Sequence, residues 1–74
     1  MDGVIIHRKD INKKEFSVVG ESKASDKNTS DFSFGEAKFI YTGGPIPGKH
    51  KIVIPKENFS LLKNKKLIKI KEIP

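Results

Sequence analysis

The chain has 74 residues, no cysteine, 35% apolar residues and a net charge of +6. That length allows one domain, and a chain so short buries only about 60% of the surface its unfolded form exposes. Missing cysteines exclude disulfide staples and thiolate metal sites, two histidines (His7 and His50) leave a zinc site short of ligands, and no apolar run is long enough to span a bilayer.

Gly3 to Arg8, GVIIHR, predicts a first strand through its β-branched run. The run meets His7-Arg8-Lys9 at once, so no signal-peptide core forms and a cytoplasmic protein is expected. Lys9 to Lys13 predicts a turn. Lys14 to Gly20 predicts a second strand with Phe16 and Val18 on one face, making a hairpin with the first. Residues 21–31, ESKASDKNTSD, have no apolar period and predict a polar, flexible loop. A loop this long in so small a domain is either mobile or functional.

Phe32 to Thr42 contains the third strand. Ala37, Phe39 and Tyr41 share one face, and Lys38, Ile40 and Thr42 the other. Residues 43–48, GGPIPG, form a connection, because glycine and proline together break a ladder. His50 to Ile54 predicts the fourth strand, with His50, Ile52 and Ile54 on one face and Lys49, Lys51 and Val53 on the other. In Pro55 to Lys63 the period changes, since Phe59 and Leu62 lie three apart behind a proline. One short helical turn near residues 55–63 is expected there. Asn64-Lys65-Lys66 reads as a turn. Leu67 to Ile73 reads as the fifth strand, with Ile68 and Ile70 on the face opposite Lys69 and Lys71.

The expected fold over residues 1–74 is therefore mostly β, a small five-stranded antiparallel barrel or two orthogonal sheets in one domain. The element order resembles that of SH3-like barrels, in which a short turn-helix precedes the last strand. The resemblance implies a fold and no function.

One motif invites a chemical reading. Residues 43–50, GGPIPGKH, have the G-x4-G-K spacing of a phosphate-binding loop, but His50 stands where a serine or threonine binds magnesium. Pro45 and Pro47 also remove backbone N–H donors that such a loop aims at phosphate. The following HKIVI predicts a strand where a helix N-terminus should face the anion. A glycine-proline turn is the better reading. Catalysis finds no support either: the histidines lie on separate strands and the carboxylates are scattered, so no nucleophile–base pair, metal cage or cofactor site is expected.

The lysines carry the functional argument. Residues 1–37 hold six basic and seven acidic groups, a net of −1, whereas residues 38–74 hold nine lysines against Glu57 and Glu72, a net of +7. Lys38, Lys49, Lys51, Lys69 and Lys71 fall on outward strand positions, and Lys63, Lys65 and Lys66 in the connection before the last strand. If the last three strands are neighbours, these eight form one basic surface suited to a phosphate backbone. Phe39 or Tyr41 supplies a stacking platform beside it, although core packing is the commoner fate of such residues. Arg8 is the sole arginine, which argues against base reading through bidentate contacts to guanine.

The expectation is a non-enzymatic nucleic-acid-binding module making weakly specific contacts to a DNA or RNA backbone. The rival is a small protein-binding inhibitor or regulator, phage-like in its economy, that docks its basic face on an acidic protein surface. Self-association into a homodimer is compatible with either, and no membrane partner is expected. The bland alternative is that edge lysines simply prevent edge-to-edge aggregation.

Overall fold

Six strands join in one mixed sheet in the computed structural model, which describes residues 1–73. They are β1 (Gly3–His7), β2 (Glu15–Ser22), β3 (Glu36–Ile40), β4 (Lys51–Pro55), β5 (Phe59–Leu62) and β6 (Leu67–Ile70), in the spatial order β4-β1-β3-β2-β6-β5. Two single 3-10 turns, Arg8–Asp10 and Lys56–Asn58, follow β1 and β4. Among the described residues no helix is long and apolar enough to cross a membrane.

Connectivity dictates the curvature. The two edge strands, β4 and β5, are consecutive in the chain with only Lys56–Asn58 between them. A flat six-stranded sheet would hold its edges roughly 24 Å apart, while three residues extend at most about 11 Å. The sheet therefore curls into a half-barrel. Its concave face carries Val4 and Ile6 of β1, Phe16 of β2, Ala37 and Phe39 of β3, Ile54 of β4, Phe59 of β5, and Ile68 and Ile70 of β6. Side-chain alternation along each strand puts these on one face.

The mostly-β expectation holds, and four of its details are corrected. There are six strands rather than five, and they are not all antiparallel: β2 and β3 run parallel, with Val18 opposite Ala37. A parallel pair needs a crossover of about a dozen residues, and residues 23–35 supply it. No β1–β2 hairpin exists, because β3 lies between them and β1 pairs antiparallel with β3 and β4. The helical segment shrinks to Lys56–Asn58, and Phe59–Leu62 pairs as a strand with β6, Phe59 opposite Ile70 and Leu61 opposite Ile68. A spacing of three across so short a span fits either structure locally, and the partner strand decides.

The convex face matters for the site. Ile5 lies directly opposite Lys38 and Val53, and two residues on, His7 lies opposite Lys51, so these side chains share that face. Residues 23–35 fold across it. His7 Nε2–H donates to the Phe32 carbonyl at 2.6 Å, and the Lys38 ammonium donates to Thr29 Oγ1 at 2.8 Å. Phe32 is buried, with its ring centroid 4.9 Å from that of His7. Buried Asp10 fastens the β1–β2 connection to the start of β3: it accepts the Gly35 N–H at 2.7 Å and pairs with Lys13 at 3.3 Å.

Candidate nucleic-acid interface

The eight lysines do not form one surface. Lys38 is only 8% exposed beneath the crossover loop. The Lys51 side chain is also buried; it pairs with Asp31 at 3.0 Å and lies 5.5 Å from the Phe32 ring centroid. Both residues lie on the outward face, as their strand period requires, but the loop covers that face and supplies the acid. Lys69 is exposed directly opposite Glu15 on β2, so a carboxylate from the N-terminal half faces it. Lys49 is exposed two residues before β4, its carbonyl accepting the Lys51 ammonium at 3.1 Å. Lys71 is exposed just past β6, its N–H donating to the Asn58 carbonyl at 2.7 Å.

Lys63, Lys65 and Lys66 stay together, all exposed in the turn joining β5 to β6. Leu62 opposite Leu67 is the last strand pair before that turn, and Lys66 N–H closes it on the Lys63 carbonyl at 3.1 Å. Lys63, Asn64 and Lys65 adopt φ of 49°, 56° and 69°. Left-handed backbone costs a side-chain-bearing residue about 1 kcal/mol or more, so three in succession store strain in a segment that glycine would occupy freely. Among the described residues the ion pairs are Lys13–Asp10, Lys23–Glu21 and Lys51–Asp31, and none involves this turn.

The turn overhangs a cavity of about 300 Å³ lined by Met1, Phe39, Tyr41, Lys56, Leu61 and Lys65. Phe39 belongs to the concave core, and Leu61 faces the same way because it sits opposite buried Ile68. The cavity is thus the open seam of the half-barrel. Lys56, on the 3-10 turn that bridges the two edges, was not among the residues singled out by sequence. Only the closure of the sheet brings it to Lys65, and no local signal announces that.

The aromatic wall is fixed electrostatically. The Tyr41 hydroxyl donates to Glu21 at 3.1 Å, and this bond pushes the phenol above its ordinary value. Lys23 pairs with Glu21 at 3.1 Å and lies 5.8 Å from the Tyr41 ring centroid. Glu21 is held below the usual carboxylate range by Lys23 first and Tyr41 second, so its charge is already matched. Asp2 is a second acid near Lys56. Its carboxyl is lowered mainly by the Thr42 hydroxyl, with Lys56 adding a smaller attraction. Lys56 and Lys65 are the charged side chains that line the seam.

Two other places fit an anion less well. A larger cavity, about 590 Å³, is lined by Asp31 and Glu36 as well as Lys38, with Ser30, Phe32, Ser33 and Val19, and its carboxylates oppose phosphate. At the GGPIPGKH segment, Gly48 has φ of 63°, and an added Cβ would meet Asp31 Oδ2 at 2.7 Å. The loop therefore presents itself to a carboxylate, and β4 follows it in place of a helix.

A small six-stranded half-barrel with a cationic seam is the class of molecule these features define. No protein-family model matches the chain, and no curated protein matches it. Among solved structures it is similar to the molybdopterin biosynthesis MoeA protein from Pyrococcus horikosii, with a TM-score of 0.81 and 24% identity. The match covers 97% of this chain and 19% of that one, so the chain spans about a fifth of that protein's length. At that identity the likeness is one of fold.

Proposed function

We propose that the chain is a non-enzymatic nucleic-acid-binding module whose phosphate contacts come from Lys56, Lys63, Lys65 and Lys66. The observation that carries this reading is the β5–β6 turn: three exposed lysines, in no ion pair among the described residues, on a turn with strained backbone beside an aromatic cavity. Lysine without arginine favours contact to the backbone over bidentate reading of bases. Lys38 and Lys51 are left out because the crossover loop buries them, and Lys69 because Glu15 faces it.

Four neutralised phosphates give log K against log salt a slope of about −3 for single strands. Replacing Lys63, Lys65 and Lys66 together with Glu should abolish binding to short oligonucleotides followed by fluorescence anisotropy. Lys38→Met should leave affinity and slope unchanged. Binding that survives the triple change overturns the assignment. The outer edge of β5 is unpaired, and Leu61 on it is 41% exposed, which favours as second reading a regulator that adds to an acidic partner's sheet. Silence with every oligomer at low salt, together with one retained partner protein, would favour that reading.

A further inference from the structure

We infer that the seam cavity takes one unpaired nucleobase, so that the ligand is single-stranded. This rests on the backbone-binding reading above and adds the part that phosphate contacts alone leave open. A duplex offers its phosphates to a flat or convex cationic surface and keeps its bases stacked inside. Here the cations flank a depression instead. Lys56 and Lys65 both line it, together with Phe39, Tyr41, Leu61 and Met1. Successive phosphates of one strand flank each base, and this cavity offers two lysines beside its aromatic lining.

The lining suits a base and rejects a purely ionic ligand. Phe39 is 9% exposed and already packed in the core, so it forms a fixed floor. Tyr41 is half-buried, and its ring is held at the wall by the hydroxyl bond to Glu21. A stacking platform with little rotamer freedom left to lose binds more tightly than a mobile one. Glu21, at the tip of the ring, is paired with Lys23 at 3.1 Å, so its charge is matched. Stacking tolerates any base, since each has a π-face, so the preference is for unpaired over paired bases and not for a sequence.

The chain carries its own reporter, because Tyr41 is the only tyrosine and there is no tryptophan. The experiment titrates the full chain at fixed low salt with a single-stranded thymine oligomer, an abasic oligomer of equal length and charge, and a duplex, reading oligomer anisotropy and tyrosine emission. The thymine oligomer should bind about tenfold or more tighter than the abasic one and quench Tyr41. Tyr41→Leu should bring the two affinities together while leaving the salt slope intact, and its fold is checked by its amide spectrum. Equal affinity of wild-type protein for the base-bearing and abasic strands, with salt-dependent binding retained, overturns the base-insertion inference and leaves the lysine assignment standing. Absence of binding to all three probes overturns both. The wild-type comparison needs no variant, so a misfolded Tyr41→Leu would not rescue the idea.

Discussion

Ion pairs and hydrogen bonds between the crossover loop and the sheet explain how that loop is kept in place. Asp31 is the clearest case. It accepts the Phe32 N–H at 2.7 Å and pairs with the buried Lys51 ammonium, and those two contacts, in that order, hold its carboxyl below its ordinary value of 3.8. Asp31→Asn would strip that ammonium of its counter-ion, and buried charges left unpaired are unfavourable. The variant should therefore unfold at lower urea than wild type at neutral pH. A carboxyl depressed in the folded state contributes stability that is full above its unfolded value and disappears as pH falls through its lower folded value. The gap in urea midpoint between wild type and Asp31→Asn should be largest at neutral pH and close as acid takes the carboxyl below 3.8 and through its lower folded value. A gap that persists unchanged in acid would mean that the asparagine acts through packing and not through charge.

At the scale of elements, the turn between β5 and β6 sets backbone comfort against surface charge. Lys65 sits at φ 69° where glycine has no steric penalty. Lys65→Gly should stabilise the fold by about 0.5–1 kcal/mol, less than the full left-handed penalty because glycine also frees the unfolded chain. A thermal midpoint about 4 °C higher would register it in a domain this size. The same variant should bind single strands more weakly, with a salt slope smaller by about 0.7. A variant neither more stable nor weaker in binding would remove the case that the strain serves the lysines.

The turn itself was legible in the sequence, as were the apolar faces of β2, β3, β4 and β6. Phe16, Phe39, Ile54, Ile68 and Ile70 alternate with outward residues over enough positions to fix a period of two. What was not legible depends on contacts distant in sequence. The parallel pairing of β2 with β3 has no local signature, and neither does the folding of a polar loop over Lys38 and Lys51. Period told which face those lysines occupy, and only the loop's path tells whether that face meets water. Lys56 joined the site for the same reason, because its neighbour Lys65 belongs to a different turn.

For the molecule as a whole, closure of the sheet is the step on which core and site both depend. The half-barrel has two edges and one short bridge, Lys56–Asn58, between them. Phe59 follows that bridge directly, is 4% exposed, and packs into the concave core while its backbone pairs with Ile70. It anchors the β5 edge to the inside of the curl. A domain of this length has a total stability on the order of 4–11 kcal/mol, and truncating a buried phenylalanine removes about 3–5 kcal/mol. Phe59→Ala should therefore lower the thermal midpoint by more than about 10 °C. Because Leu61 and Lys65 reach the seam through the same strand and its turn, single-strand affinity should fall even at temperatures where the variant stays folded. Lys56, held by its N–H to the Asp2 carbonyl at 3.1 Å, keeps its place in that variant. Residual affinity in Phe59→Ala should then match that of Lys65→Glu more nearly than that of Lys56→Glu. A loss of less than about 1 kcal/mol on truncating Phe59, or unchanged affinity alongside a large loss, would show that the seam is held by something other than the β5 edge.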